Sequence, residues 1–270
     1  MARRKLKDWF DKDLAMTLAE KIQKVFPDFD SKRFVQTVED GVRGLELKAR
    51  VERIADALRD ELPKDYPRAL EILTAILGPE NLKETGMFTE GYWIMPIAKY
   101  VEKYGIRHYS KSIEAIEEIT KRHTGEYCVR PFIEKYPQKT LAVMRSWSKN
   151  ENVHVRRLSS EGARPRLPWA GKLDVFVADP APVLEILENL KDDPSRFVQK
   201  SVANAMNDIL KDNERIGMET LKRWSRDAGR IRRWIIRRAL RNLIKKGNAE
   251  AVGLLEALDA GGALSPRNQR

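Results

Sequence analysis

The chain has 270 residues, 42% of them hydrophobic, and a formal net charge of +11. No apolar run approaches the ~18 residues of a membrane-spanning helix, and the basic N-terminus lacks the apolar stretch of a signal peptide. The single cysteine, Cys128, excludes an internal disulfide, and three scattered histidines do not form the ligand set of a zinc site. We therefore expect a cytoplasmic protein that needs no metal or other cofactor.

The positive charge is concentrated in the second part of the chain. Residues 1–120 carry 21 basic and 22 acidic side chains, whereas residues 121–270 carry 30 basic and 18 acidic ones. Positive charge is unevenly distributed along a chain when one surface binds phosphates, whereas basic residues that only keep a protein in solution would be spread evenly. Nucleic acid is therefore the first candidate partner.

Helical periodicity runs through almost the whole sequence. Leu14, Leu18, Ile22 and Val25 are typical, because they recur at spacings of three and four residues. Proline and glycine divide this pattern into helices of roughly 8–20 residues. The run 173–177 alternates like a strand and is equally consistent with a loop. The sequence thus predicts an all-α protein.

Three segments in the second half resemble one another at offsets of 43 and 37 residues. Two positions recur, an aliphatic one (Val155, Val198, Ile235) and a basic one (Arg157, Lys200, Arg237). Another predicted helix precedes each segment, at 137–147, 182–190 and 215–225. Paired helices that repeat at about 40 residues are typical of HEAT-like repeats. Such repeats form an α-α superhelix, or solenoid, whose second helices would here line a concave basic face. A non-repetitive helical bundle is the alternative.

Residues 221–246 form the most basic stretch, with eleven Lys or Arg and one acid. Arg233, Arg237 and Arg241 fall at helical spacing on one face, which is either solvated or in contact with a nucleic-acid backbone. We favour contact because compensating acids are scarce. Beyond it, residues 261–270 are predicted to form a disordered tail, which leaves a single domain at 1–260.

Carboxylates occur where a phosphate-binding surface would not need them. Glu161 lies four residues after Arg157 on a helix that Gly162 is predicted to end. An exposed ion pair between the two residues, with a purely structural role, is the alternative explanation. Asp208 is predicted to project from the same surface in the next repeat. Glu126 opens a predicted helix at 126–132 and is either a third site residue or a carboxylate favoured by the helix dipole.

A cationic target would explain these acids, which otherwise repel DNA. A base alkylated on a ring nitrogen is positively charged and already a good leaving group. A carboxylate beside its sugar would stabilise the developing oxocarbenium ion and position or deprotonate water.

The string Arg-Arg-Leu-Ser-Ser-Glu-Gly-Ala-Arg-Pro-Arg-Leu-Pro-Trp at 156–169, with the segments 45–51 and 91–100, closely resembles the AlkC branch of the AlkC/AlkD alkylpurine DNA glycosylases. The resemblance implies a bacterial base-excision-repair enzyme of HEAT-like repeats that binds duplex DNA at the nucleoid. A monomer is expected, because an elongated DNA clamp needs no partner. The resemblance also implies removal of cationic N-alkylated bases, namely 3-methyladenine, 3-methylcytosine and 1-methyladenine, without base flipping. No lysine is implicated as a nucleophile, so the enzyme is expected to be monofunctional.

The same resemblance assigns roles by position. It implies that Glu161 is the main catalytic carboxylate, with Glu126 and Asp208 beside it. Trp169 is implied to pack against the lesion nucleotide, and Arg157 to act as a positioning arginine near the backbone. Charge and register add candidates for phosphate contacts, namely Arg156, Arg164, Arg166, Lys200, Arg233, Arg237 and Arg241.

Many members of that branch append an immunoglobulin-like β-domain, whereas this sequence has no strand-rich segment before Arg270. We therefore expect a form without that domain, for which the C-terminal arginine cluster is a candidate substitute. A non-catalytic HEAT-like module that binds DNA or RNA structure, or a protein-binding solenoid, are the alternatives. The acidic trio favours the enzyme, because a pure binder gains nothing from carboxylates that face phosphates.

Overall fold

A computed structural model describes residues 4–85 and 91–263. Within these ranges the chain forms fifteen α-helices and two short 3₁₀ turns, and no strand. The all-α prediction is confirmed. No helix in the described ranges is long and apolar enough to cross a membrane. The chain divides into two compact units, Met1–Pro137 and Gln138–Arg270.

The first unit contains seven helices. They are α1 (Lys12–Gln23), α2 (Ser31–Gly41), α3 (Leu47–Glu61), α4 (Tyr66–Ala75), α5 (Met95–Tyr104), α6 (Tyr109–Thr120) and α7 (Arg130–Lys135). Asp11, Asp30 and Asp65 cap α1, α2 and α4 by accepting backbone N–H groups of the first turn. The predicted apolar stripe of α1 is buried at Leu14, Leu18 and Ile22, which gives this helix a core face.

The second unit contains the repeats. Its helices are α8 (Pro137–Trp147), α9 (Val153–Glu161), α10 (Asp174–Ala178), α11 (Ala181–Leu190), α12 (Arg196–Asp212), α13 (Glu214–Ser225), α14 (Arg230–Lys245) and α15 (Ala249–Ala263). The predicted pairs appear as α8 with α9, α11 with α12, and α13 with α14. The aligned aliphatic residues Val155, Val198 and Ile235 are all 0% exposed, so the repeated position is a core position.

Asn152 and Ser195, 43 residues apart, occupy equivalent places in two repeats. Each side chain accepts the N–H groups of the second and third residues of its helix, α9 or α12. A residue that accepts these otherwise unpaired donors fixes where a helix starts. The repeat offset therefore reproduces the starting points of the helices as well as their buried faces.

Two local predictions are corrected. Residues 174–178 form the short helix α10, so the alternating run 173–177 is neither strand nor loop. Glu126 does not open a helix, because residues 126–129 form a turn. The N–H of Val129 bonds four residues back to Gly125, but that of Arg130 bonds only three residues back, to Tyr127, so the helical pattern is not continued. α7 starts only at Arg130.

At the C-terminus, α15 continues through Ala263, so residues 261–263 of the predicted tail are helical. Residues 264–270 lie outside the described residues. Disorder there, and a single domain at 1–260, stay predictions.

The capping geometry predicts the effect of removing the Ser195 hydroxyl. Ser195→Ala leaves two N–H groups at the start of α12 without their acceptor and should lower the free energy of unfolding by about 1 kcal/mol. Urea unfolding of the variant measures this. Ser195→Asn, which copies the residue found at 152, should recover most of the loss; equal stability of the alanine variant and the wild type would contradict the assignment.

Candidate active site

One guanidinium joins two carboxylates in the second unit. Arg164 lies in the loop after α9, where its Nη1 donates to Oε1 of Glu161 at 2.7 Å and its Nε donates to Oδ2 of Asp208 at 2.8 Å. Glu161 is the last residue of α9 and Asp208 belongs to α12. All three are buried, with exposures of 6%, 7% and 1% for Glu161, Arg164 and Asp208. The structure therefore brings two of the three predicted catalytic carboxylates into one hydrogen-bonded cluster.

Each carboxylate has a second cation nearby. Nη2 of Arg157 lies 3.7 Å from Oε1 of Glu161, and the guanidinium of Arg157 also lies over the ring of Phe197 at 4.7 Å. Nζ of Lys211 donates to Oδ1 of Asp208 at 3.1 Å. The cluster thus contains two negative and three positive side chains.

These charges determine the ionisation of Glu161. Burial raises the pKa of this carboxyl, but the charges of Arg157 and Arg164 and hydrogen bonds from Arg164 and Ser201 outweigh burial and hold the pKa below its ordinary value. Glu161 is therefore a carboxylate at neutral pH. Such a group can stabilise positive charge or accept a proton, but it cannot act as a general acid.

The loop that carries Arg164 is fixed to α12 at two points. Besides the bond from Arg164 to Asp208, Nε of Arg166 donates to Oδ2 of Asp212 at 2.7 Å, one helical turn further along. The N–H of Leu173 closes the loop by donating to the carbonyl of Pro165. The loop is consequently held in one conformation beside the carboxylates.

Trp169 is displayed by this loop under backbone strain. Its φ is +66°, the one positive value at a non-glycine residue in the described part of the chain, and its side chain is 57% exposed. Holding a bulky residue at positive φ costs about 1–3 kcal/mol of conformational free energy, and such strain is concentrated at functional sites. An exposed tryptophan held in this way fits a surface that contacts a ligand.

Glu126 lies in the first unit, in the turn before α7. It is 3% exposed, and one carboxylate oxygen accepts a hydrogen bond from Oγ1 of Thr124 at 3.0 Å. Its assignment as an accompanying catalytic carboxylate stays a prediction.

Besides Arg164, three predicted phosphate contacts form ion pairs with acids of the protein. The pairs are Arg156 with Asp193, Arg166 with Asp212 and Arg237 with Asp259. The acid of the first pair is 7% exposed, whereas both side chains of the Arg237 pair are at least half exposed. Exposed pairs are weak and can exchange for a phosphate, whereas a buried pair is difficult to separate. Of the three, Arg237 remains the best placed to meet DNA.

The other phosphate candidates differ in accessibility. Arg164 is buried between its two carboxylates, and the guanidinium of Arg233 donates to two backbone carbonyls at 2.7 and 2.8 Å. Arg241 donates to Oδ1 of Asn204 at 3.1 Å. Lys200 is exposed on α12. DNA contact by these residues stays a prediction.

Sequence reasoning missed the bridge made by Arg164, although the repeat offset contains a signal for it. Stacked repeats place positions about 40 residues apart side by side. Position 165 corresponds to 208 at the 43-residue offset, so Arg164 is one residue from the equivalent of Asp208. Comparing charges near this offset, rather than within one helix, identifies Asp208 as one of the acids within reach of Arg164.

No group of three or more candidate metal ligands occurs among the residues that the structure describes.

Comparison with known proteins identifies the family. Residues 17–243 match the model of a family described as DNA alkylation repair enzyme. The chain belongs to that family. It is 39% identical over 251 residues to the uncharacterized protein YhaZ of Bacillus subtilis (strain 168). The aligned region covers 92% of this chain and 67% of YhaZ.

A solved structure matches as well. It is the Pseudomonas fluorescens alkylpurine DNA glycosylase AlkC bound to DNA containing an abasic site analog, with a TM-score of 0.86 and 36% identity over 94% of this chain and 69% of that one. This match confirms the predicted class, an all-α superhelix of helical repeats. It also confirms the resemblance to AlkC.

The depressed pKa of Glu161 predicts how stability depends on pH. A carboxyl whose pKa is lower in the folded state stabilises the fold fully above its unfolded pKa, about 4.3, and this contribution is lost as the pH falls through the folded pKa. Glu161→Gln should therefore lower the free energy of unfolding by about 1–3 kcal/mol at pH 7. The difference from wild type should shrink below about pH 4.3.

Denaturant unfolding across this pH range measures the difference. Glu219→Gln is the control, because Glu219 forms an exposed pair with Arg215 on α13. A difference that is independent of pH, or equal to that of the control, would contradict the charge argument.

The strain at Trp169 predicts a stability difference between two truncations. Trp169→Gly and Trp169→Ala both remove the ring, but only glycine adopts a positive φ without strain. The glycine variant should be more stable than the alanine variant by about 1 kcal/mol. Thermal or urea unfolding of the pair tests this, and equal stabilities would show that the backbone at 169 is not strained.

Proposed function

We propose that the protein is a monofunctional DNA glycosylase that hydrolyses the N-glycosidic bond of cationic N-alkylated bases in duplex DNA. The proposed substrates are 3-methyladenine, 3-methylcytosine and 1-methyladenine. The observation that carries the proposal is a buried, ionised carboxylate, Glu161, in the basic half of a DNA alkylation repair enzyme. The structural likeness to an alkylpurine DNA glycosylase supports it.

The chemistry needs an ionised carboxylate rather than an acid. When the bond between C1′ and the ring nitrogen breaks, its electron pair neutralises the cationic base, and positive charge develops on the deoxyribose. Glu161 would stabilise that charge, while a water oxygen forms the new bond to C1′ and its proton passes to the carboxylate. The base leaves without being protonated.

The surrounding cations have to be reconciled with a positive transition state. Without DNA the cluster has an excess of one positive charge, which would repel an oxocarbenium ion. Arg157 and Lys211 are its more exposed cations, with side chains 16% and 43% exposed, whereas the side chain of Arg164 is 8% exposed. DNA phosphates would draw Arg157 and Lys211 away. The remaining group of Glu161, Asp208 and Arg164 then carries a net negative charge.

Trp169 gives the site a surface for the lesion nucleotide. Its exposed ring extends from the loop that contains Arg164, so it would pack beside the damaged nucleotide while Glu161 faces the sugar. Attack at the deoxyribose does not require the base to leave the stack, and we propose that excision proceeds without base flipping. A protein that acts on chromosomal DNA would work at the nucleoid, in the cytoplasm.

Release of free bases from methylated duplex DNA tests the proposal. Chromatography separates 3-methyladenine, 7-methylguanine, 3-methylcytosine and 1-methyladenine. Wild type should release 3-methyladenine most rapidly and leave the abasic strand uncut. Glu161→Gln should lower the single-turnover rate by about 10²-fold or more. It should bind the duplex as tightly or more tightly, because a charge that repels phosphate is gone.

Glu219→Gln, on exposed α13, is the matched control and should retain the wild-type rate. Base release at the wild-type rate by Glu161→Gln would refute the assignment of Glu161 as the catalytic carboxylate. No release of any base, with duplex binding intact, would instead indicate a module that binds DNA structure without catalysis.

A further inference from the structure

A third position recurs in the repeats, and it is aromatic. His154, Phe197 and Trp234 follow the same offsets of 43 and 37 residues, immediately before the aligned buried aliphatic residues. The recurring basic residues lie three positions after the aromatic ones. A polar residue follows four positions after each basic one, namely Glu161, Asn204 and Arg241. Spacings of three and seven residues lie on one face of a helix. α9, α12 and α14 therefore each present an aromatic ring, a cation and a polar side chain in the same order.

Cations and rings of neighbouring helices are in contact at the recurring aromatic position. The guanidinium of Arg157 on α9 lies over Phe197 of α12 at 4.7 Å, and the His154 ring also meets Phe197, with centroids 5.5 Å apart. The guanidinium of Arg196 on α12 lies over Trp234 of α14 at 3.2 Å. Arg238 lies 5.5 Å from the same ring. We refer to these six residues, which are His154, Arg157, Arg196, Phe197, Trp234 and Arg238, as the cation–aromatic ladder.

Two arginines of the ladder lack the acidic partners that other arginines have. Within the described residues, no carboxylate lies within ion-pair distance of Arg196, Arg238 or the neighbouring Lys200. Nε of Arg238 is buried without an acceptor in the described structure. This contrasts with Arg156, which is neutralised by Asp193.

Like charges are crowded at the α14 end of the ladder. Burial, and then the positive charge of Arg238, lower the pKa of Arg241 below its ordinary value. The charge of Asp208 opposes this effect but does not cancel it. Neighbouring cations repel one another, and a polyanion relieves that repulsion. The rings are covered by guanidinium groups, so they are suited to holding cations in place rather than to stacking with bases.

We propose that the cation–aromatic ladder binds the phosphodiester backbone of DNA, with Arg196 and Arg238 as the contacting cations and Trp234 as the residue that positions them. Arg157, at the other end, connects this surface to Glu161. The inference rests on the proposed function for its choice of DNA. Its test uses undamaged duplex and no catalysis, so the two proposals can fail separately.

The decisive experiment measures how affinity depends on salt. Fluorescence anisotropy with a labelled undamaged duplex gives log K against log salt for wild type, Arg196→Gln/Arg238→Gln and Trp234→Leu. Each phosphate contact contributes about 0.9 to this slope, so the double variant should have a slope shallower by about 1.8. Its affinity at low salt should fall roughly tenfold or more.

Trp234→Leu separates positioning from charge. It retains both arginines, so it should weaken binding several-fold with a smaller change in slope, and Trp234→Phe should restore most of the affinity. Thermal unfolding checks that each variant is folded. If Trp234→Leu does not fold, the arginine double variant alone tests the proposal. That variant is expected to fold, because Arg196 is exposed and removing Arg238 leaves no acid without its partner.

Arg215→Gln/Arg226→Gln is the control for loss of two positive charges, because these exposed residues lie on α13 and directly after it. A slope and affinity equal to those of this control would overturn the proposal. So would a loss confined to duplex RNA, which would assign the ladder to a different nucleic acid. If the double variant binds as predicted but no wild-type base release is seen, the ladder stands and the glycosylase proposal fails.

Discussion

The candidate site depends on the hydrogen bonds of one buried guanidinium. Arg164 donates to Glu161 at the end of one repeat helix and to Asp208 within the next. Two carboxylates in a buried cluster would repel each other, and one would take up a proton if no cation lay between them. Removing the cation that two buried carboxylates share usually costs about 3–5 kcal/mol, because the buried charges lose their partner. The same contacts therefore fix the loop, the spacing of the two acids and the ionised state of Glu161.

This arrangement explains how a surface for phosphates can include carboxylates. Arg164 is neutralised within the protein by Glu161 and Asp208, and its charge helps to keep Glu161 ionised. The loop that holds Arg164 also presents Trp169 at a strained φ of +66°. The bonds to α12 supply the free energy that keeps such a backbone in place. Ionisation of Glu161 and display of the aromatic ring thus have a common origin.

Much of the fold could be predicted from the sequence because a repeat shows its core and its helix starts locally. The buried positions Val155, Val198 and Ile235 follow from offset and periodicity alone. The pairing of charges does not follow from offset and periodicity, because each cation has several acids within reach on neighbouring repeats. The turn at 126–129 was missed because hydrogen bonding, rather than composition, distinguishes it from a helix. The positive φ of Trp169 has no sequence signal, since tryptophan does not favour that region.

The positive charge of the second unit therefore has two separate uses. Cations that pair with acids about one repeat away, such as Arg156 with Asp193 and Arg164 with Asp208, hold one repeat against the next. Cations that rest on aromatic rings, such as Arg196 on Trp234, keep a fixed position while their charge stays available. Net charge and spacing cannot separate the two kinds, because both recur at the repeat offset. The residue that each arginine contacts about one repeat away differs between the two kinds, since it is an acid for Arg156 and Arg164 and an aromatic ring for Arg196.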